Sequence, residues 1–129
     1  MELELITPET RESFRVRFVS LEDVLGSLGI YPDHDRFITV LRRSVGHFQD
    51  EEGKELFIAY DHGFLKVENN RVVILSRAVV VGESLEEIRE ELRKRIERIE
   101  LYERDLRRSI ENLEKAILHQ LVEIERAYL

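Results

Sequence analysis

Cysteine is absent from this sequence of 129 residues, which excludes both disulfide bonds and thiol catalysis. Long apolar runs are also missing, since no segment approaches the roughly 18 to 20 residues needed to cross a bilayer. The first nine residues lack the basic start and apolar core of a signal peptide. We therefore expect no direct membrane span, and expect any work at a membrane to be done through other proteins.

Basic charge is in the minority, with 20 lysines and arginines against 27 acidic residues and a net charge of −7. This balance argues against nucleic acid as the main partner, because phosphate binding needs a basic face. No Gly-x-x-x-x-Gly-Lys-Ser/Thr stretch exists to hold a phosphate. No two histidines have a short His-x-His or His-x-x-x-His spacing. We expect no catalytic residue, no metal and no bound cofactor, so a small enzyme is the least favoured function.

Glycine and proline are confined to the first part of the chain. All six glycines and both prolines precede Glu83, and none occurs in Ser84–Leu129. This change in composition predicts two parts, a β-sandwich domain at residues 1–82 and an α-helical tail at residues 84–129. The fold class is therefore mainly β plus α.

Period-two alternation indicates antiparallel strands in the first part. In Ser13–Ser20, the side chains of Phe14, Val16 and Phe18 should face one way. Asn69 and Asn70 predict a hairpin turn, because asparagine tolerates positive φ. Many short strands separated by turns favour a sandwich. The other strand-like runs are Met1–Ile6, Lys54–Tyr60, Phe64–Glu68 and Arg71–Leu75.

Helical periodicity dominates the second part. Ser84 and Glu87 form a capping-box pattern at its start. From Leu85 to Tyr128, apolar residues recur about every 3.6 residues, which keeps them on one face of a straight helix. Two architectures remain open: a hairpin that turns at Tyr102–Asp105, or one long helix of roughly 65 Å. We favour the hairpin, in which the two halves bury their apolar stripes against each other.

Four segments together resemble the epsilon subunit of F-type ATP synthases. Leu25–His34, with its Gly-Ile-Tyr-Pro-Asp-His end, is similar to the family's glycine-bearing turn and Gly-Ile/Val-Leu/Tyr-Pro-Gly-His signature. The segments follow one another in the family's order and spacing, and the family places a helical pair after its sandwich. The other three segments are Ser44–Gly46, Gly63–Val67 and Asn70–Leu75.

The departures from the family pattern are also informative. Asp33 replaces the usual glycine, and the tail begins Leu85-Glu86-Glu87-Ile88-Arg89 instead of Asp-Glu-x-x-Arg-Ala. Some family members bind ATP through an Asp-x-x-Arg-Ala motif in the tail, so the departure argues against ATP binding here. The pattern is similar to the divergent epsilon subunits of the alternative, often sodium-translocating, F-type ATPases (N-ATPases). The coupling ion, proton or sodium, stays open.

The resemblance implies a non-catalytic rotor subunit of the central stalk. Its partners would be the gamma subunit and the c-ring, with the α/β catalytic head within reach of the tail. It would be peripheral, on the cytoplasmic side of the membrane, as part of the ATP synthase complex. The tail could also inhibit ATP hydrolysis. The alternative function is a free-standing adaptor whose helical tail binds partner helices.

Two sets of residues are candidates for these contacts. The loop from Gly26 to Asp33 is the candidate c-ring contact, because apolar side chains on a loop are available to partners. For Leu28, packing against the sandwich is an equally good interpretation. The c-ring set is Gly26, Ser27, Leu28, Tyr31, Asp33 and His34. The set for gamma binding or packing within the tail is Leu106, Ile110, Leu113, Ile117, Leu121 and Ile124.

Overall fold

The structure is a computed structural model that describes residues 1–128. Nine strands precede one helix. The strands are β1 (Glu2–Ile6), β2 (Arg11–Asp23), β3 (Gly26–Ile30), β4 (Phe37–Leu41), β5 (Ser44–Asp50), β6 (Glu55–Tyr60), β7 (Gly63–Glu68), β8 (Arg71–Ser76) and β9 (Val79–Gly82), and the helix is α1 (Leu85–Tyr128).

The strands form two layers that share the long strand β2. One layer has the order β1-β8-β7-β4, and the other has the order β3-β2-β5-β6-β9. β2 also pairs with β1 through its first five residues and touches β4 at its last. Inward-facing side chains of both layers make one core, which includes Leu3, Val19, Leu21, Phe48, Ile58, Leu65, Val72 and Ile74. The predicted sandwich is confirmed.

β2 departs from its predicted alternation. A β-bulge between Val16 and Phe18 shifts the register against β5. A bulge inserts one extra residue, so the side chains after it change faces. Val16 and Val19 are buried, whereas Phe18 is only half-buried and stacks on Tyr31. The prediction that Phe18 faces the core side with Val16 is therefore wrong.

The predicted turns differ in outcome. Asn69 and Asn70 have φ values of 51° and 58° and connect β7 to β8, as the asparagine pair predicts. The segment after Asp23, interpreted as a loop, instead forms β3, which pairs with the end of β2. Two of its five residues are glycines, which have low strand propensity, so propensity alone does not predict this strand. Its central residue, Leu28, packs against the core.

The tail is a single α-helix from Leu85 to Tyr128. The hairpin that we favoured, with its turn at Tyr102–Asp105, is wrong for this structure. The helix has no glycine or proline to break it. Oppositely charged pairs three and four residues apart also support it, for example Arg93 with Glu90 at 2.7 Å. Ser84 caps the start, where its Oγ accepts a hydrogen bond from the Glu87 amide at 3.4 Å.

The chain divides into two compact units, residues 1–96 and 97–129. The first unit includes three turns of α1 because Ile88, Leu92 and Ile96 are buried. Arg95 adds a hydrogen bond from its Nη1 to the carbonyl oxygen of Val79 at 3.0 Å. The domain boundary at residues 82–84 stays a prediction. The start of the helix is part of the first unit's packing.

Leu92→Ala should destabilise the first unit by about 2 to 5 kcal/mol, because the side chain is buried and its removal leaves a cavity. Leu118→Ala is the matched control, since Leu118 is 62% exposed and should cost less than about 0.5 kcal/mol. Denaturant unfolding followed by circular dichroism measures both. Equal stabilities of the two variants would contradict this role for the first helical turns.

Candidate partner-binding surfaces

An exposed row of apolar side chains crosses the outer face of the layer β1-β8-β7-β4. The strand register places Val40 opposite Phe64, and Phe64 opposite Leu75. Their exposed fractions are 46%, 57% and 43%, and Ile38, two residues from Val40 on the same face, is 59% exposed. Side-chain alternation brings these four residues to one side of the sheet. We call Ile38, Val40, Phe64 and Leu75 the apolar face.

The β2–β3 hairpin ends in Val24 and Leu25, which we call the hairpin tip. Leu25 is 91% exposed and Val24 is 50% exposed. The backbone amide of Val24 donates a hydrogen bond to the carbonyl of Val40 at 3.1 Å, so the tip adjoins one end of the apolar face. Exposed apolar surface that is continuous across several strands is typical of binding sites.

A buried aspartate fixes this tip. Asp23 is 5% exposed, and its Oδ1 accepts hydrogen bonds from the amides of Leu25 at 2.8 Å and Gly26 at 3.0 Å. Its Oδ2 accepts a hydrogen bond from the Thr39 hydroxyl of β4 at 2.8 Å. These hydrogen bonds lower the pKa of Asp23, and the bond from Thr39 has the largest effect. The turn is therefore tied to the neighbouring strand.

The structure does not bring the six candidate c-ring residues together. Gly26 and Ser27 lie beside the tip, and Leu28 packs inward. The others follow the opposite end of β3, roughly 14 Å away at about 3.4 Å per residue. There, Tyr31 is 62% exposed and stacks on Phe18, Asp33 accepts a hydrogen bond from Asn70 Nδ2 at 3.2 Å, and His34 lies against Phe37 with 6.1 Å between ring centroids.

Asp61 forms the most buried ion cluster of the first unit. Its side chain is fully buried and accepts hydrogen bonds from the guanidinium groups of Arg43 and Arg77. Burial alone would raise the pKa of Asp61. This effect is outweighed by three hydrogen bonds, from Arg77, from the backbone amide of His62 and from Arg43, which together lower the pKa to about 2. Asp61 therefore joins the β6–β7 turn to two arginines, which is a structural role.

Asp61→Asn should lower the free energy of unfolding at neutral pH by about 2 kcal/mol, since one pKa unit corresponds to about 1.4 kcal/mol. The folded-state pKa lies below the ordinary 3.8. The stabilisation is thus complete above about pH 4 and lost as pH falls towards 2. The difference between the denaturant midpoints of wild type and variant should be the same at pH 7 and 4.5, apart from a small loss at 4.5, and should be clearly smaller at pH 3. Glu51→Gln is the control, because its pair with Arg15 is exposed, and a similar loss there would contradict the assignment.

The second unit carries the six tail candidates on one face of α1. They are separated by three or four residues, and all are between 48% and 60% exposed. An exposed apolar stripe of this length is typical of a helix that binds another helix. The structure therefore leaves the stripe exposed. The residues are Leu106, Ile110, Leu113, Ile117, Leu121 and Ile124.

A shallow pocket of about 270 Å³ lies in the first unit between the start of β5 and the first turns of α1. Val45, Leu92 and Ile96 contribute apolar surface. Two of its arginines already pair with carboxylates, Arg43 with Asp61 and Arg93 with Glu90.

Within residues 1–128, no three histidine, aspartate or glutamate side chains group to hold a metal ion. No helix in this part of the chain is long and apolar enough to cross a membrane.

These observations define the class of protein: a β-sandwich with an exposed apolar face, followed by a helix with an exposed apolar stripe. Residues 1–82 match the family described as the ATP synthase delta/epsilon chain, β-sandwich domain. The chain belongs to this family. The resemblance to epsilon subunits is thus confirmed.

Individual relatives agree with the family. The chain is 37% identical over 75 residues to an ATP synthase epsilon chain of Polaromonas naphthalenivorans, covering 58% of this chain and 54% of that one. It is 32% identical over 94 residues to one of Pelotomaculum thermopropionicum, covering 72% and 69%. It is also 37% identical over 79 residues to an ATP synthase epsilon chain of Lawsonia intracellularis, covering 60% of this chain and 59% of that one. The chain thus matches little more than half the length of the Polaromonas and Lawsonia relatives.

Solved structures share the fold. A chain in the Euglena gracilis mitochondrial ATP synthase (OSCP/F1/c-ring) superposes with a TM-score of 0.58 at 24% identity, covering 74% of this chain and 61% of that one. A chain in the Tetrahymena thermophila mitochondrial ATP synthase, central stalk and c-ring, gives 0.53 at 18% identity, covering 62% and 65%. At this identity the likeness concerns the fold alone.

Proposed function

We propose that this chain is the epsilon-type subunit of a rotary ATP synthase, a non-catalytic part of the central stalk that links gamma to the c-ring. Membership of the delta/epsilon family supports the proposal. The observation that carries it is the apolar face, because a sandwich that works alone rarely exposes four neighbouring apolar side chains on one sheet. The complex, and not this chain, would provide the catalytic sites. The chain would be peripheral, on the cytoplasmic side of the membrane.

The apolar face is the proposed gamma-binding surface. Phe64 lies at its centre, between Val40 and Leu75. Central aromatic side chains in an apolar patch contribute most of the binding energy of many protein interfaces. The exposed stripe of the tail would bind a further helix, in gamma or in the catalytic head. An apolar stripe can bind only one partner at a time, so the tail can act as a switch between states.

Reconstitution tests this function directly. The purified chain should bind the gamma subunit and the c-ring of the same organism, and should join a complex from which epsilon has been removed. An adaptor with a different partner would bind neither, although its tail would still bind helices. Failure of wild-type chain to bind gamma or the ring at micromolar concentrations would reject the stalk function.

Deleting residues 105–129 should leave ATP synthesis largely intact and raise ATP hydrolysis or leave it unchanged, because the proposed gamma-binding face belongs to the first unit. Synthesis and hydrolysis by the purified complex, with and without these residues, measure the effect. A matched variant keeps the helix and its charges but replaces Ile110 and Ile117 by serine, and should behave like the deletion. Dissociation of the complex or loss of coupled synthesis would mean that the tail is a structural strut.

A further inference from the structure

The apolar face continues across two further strands and ends at an arginine. The strand register places Ile6 of β1 opposite Leu75 of β8, and it places Arg11, at the start of β2, opposite Ile6. Side chains of directly opposed residues lie on the same side of a sheet. Ile6 is half-buried, and the side chain of Arg11 is 69% exposed. A cation therefore lies at one end of an apolar row that begins at Val40.

A buried carboxylate orients this arginine. Both neighbours of Glu4 in β1 belong to the core, so the alternation of the strand places Glu4 on the outer side, together with Ile6. Glu4 is nevertheless only 2% exposed, and the guanidinium groups of Arg11 and Arg71 both donate hydrogen bonds to its carboxylate. A buried ion pair is often no more stabilising than an apolar substitute of similar volume. The fold alone therefore gives little reason for an acidic residue at this position.

Part of the Arg11 guanidinium is left for a partner. Glu4 accepts a hydrogen bond from its Nε, and Glu4 is the one carboxylate within residues 1–128 that pairs with Arg11. The two Nη nitrogens form the other edge of the planar group, and two parallel N–H donors match the two oxygens of a carboxylate. A group that is already oriented loses less conformational entropy when it binds. Arg11 is thus suited to bind a second carboxylate, supplied by another chain.

We propose that Arg11 binds a carboxylate of the gamma subunit at the end of the apolar face, and that Glu4 is the residue that positions Arg11. This inference rests on the proposed function and deepens it, because it names the chemistry that gamma must present beside its apolar surface. Apolar contacts are non-directional, so the apolar face alone would accept gamma in more than one orientation. A charge pair at one end distinguishes these orientations, since a wrong one leaves Arg11 without its partner.

The affinity for the purified gamma subunit of the same organism, measured at low and high salt, tests this contact. Arg11→Gln should weaken gamma binding by about tenfold or more at low salt, and the affinity of the variant should depend less on salt than that of the wild type. Glutamine keeps an amide donor for Glu4, so the variant should melt near the wild type. Arg89→Gln is the matched control and should change gamma binding less than about twofold. Arg89 is an exposed arginine of α1, whose first turns contact β9 of the other layer.

Two results would overturn the contact. An undiminished affinity of Arg11→Gln for gamma would remove Arg11 from the interface. A loss of about tenfold that keeps the salt dependence of the wild type would assign an uncharged acceptor on gamma, such as a backbone carbonyl, in place of the carboxylate.

A double-mutant cycle tests the positioning role of Glu4. Glu4→Gln keeps the size of the side chain and removes the charge that orients Arg11, so it should weaken gamma binding by about threefold to fivefold. In the Arg11→Gln background it should have little further effect, because no guanidinium remains to be oriented. All affinities are measured well below the melting temperature of the least stable variant. Equal losses in the two backgrounds would indicate a purely structural role and overturn the positioning of Arg11 by Glu4.

The outcomes also separate this inference from the proposed function. A wild-type chain that does not bind gamma at any salt concentration rejects gamma binding, and with it both proposals. Wild-type binding that is lost in Phe64→Asp but kept in Arg11→Gln overturns the charged contact and leaves the apolar face as the gamma-binding surface.

Discussion

Phe64→Asp should weaken binding of this chain to the gamma subunit by at least about 100-fold, while the isolated chain stays folded. The side chain is 57% exposed, so its loss removes little of the core. In the complex, however, an aspartate would lie between Val40 and Leu75, and the lysine on the same face, Lys66, already pairs with Glu68 at 3.2 Å. Burying an unpaired charge costs on the order of several kcal/mol, and each 1.4 kcal/mol is a factor of ten in affinity.

The affinity of purified chain for purified gamma, measured by calorimetry or surface binding, checks this result. Phe64→Leu is the matched control, because it keeps an apolar side chain at the centre of the face and should lose less than about tenfold. Melting temperatures of both variants should stay near that of the wild type. If Phe64→Asp binds gamma with undiminished affinity, gamma does not use this face, and another surface of the sandwich must be sought.

Most strands follow from local pattern, because one side of each faces a single core. β7 and β8 alternate clearly around an Asn-Asn turn, and the register found in the structure agrees. β3 does not follow from local pattern, because Gly26 and Gly29 lie on either side of Leu28 and remove the alternation on which strand prediction depends. The bulge in β2 is equally invisible, because one extra residue changes the faces of all that follow it.

The candidate surfaces were harder to predict than the fold. Ile38 and Val40 stand in a short apolar run that reads as a fully buried strand, so their exposure on one face cannot be inferred from the sequence. Val24 and Leu25 could have been noticed as apolar residues between Asp23 and Gly26 in a turn. The family signature instead indicated the residues after them as the contact. In the structure these residues are separated, because some lie at the start of β3 and the others follow its end.

The tail shows the limit of periodicity. A stripe that recurs every 3.6 residues is compatible with a long helix and with a hairpin that buries the same stripe. The choice between them depends on a turn signal, and Asp105 alone, without glycine or proline, is too weak to end a helix. The continuous helix therefore agrees with the local sequence, and hairpin formation would require the burial energy of a partner surface.

Close approach of two strands at Gly63 leads to a large expected effect on folding. A β-carbon at this position would lie 1.9 Å from the carbonyl oxygen of Leu75 and 3.0 Å from the α-carbon of Ser76. Both are backbone atoms of β8, so the clash cannot be relieved by rotating a side chain. Gly63→Ala must instead push β7 and β8 apart where Gly63 pairs with Ser76. Residues packed around this corner, including Asp61, would shift with them.

Gly63→Ala should therefore destabilise the isolated chain by about 3 kcal/mol or more, at the upper end of overpacking effects. This corresponds to a fall in melting temperature of about 10 °C for a chain of this size. Gly29→Ala is the control, because its added β-carbon meets only a Tyr31 ring carbon at 3.5 Å, which is ordinary contact. Thermal melting of the two variants decides the matter: a normal transition for Gly63→Ala would show that the strands can separate there at little cost. If both variants melt early, the loss comes from replacing glycine in these strands in general, and the close approach at Gly63 is not its cause.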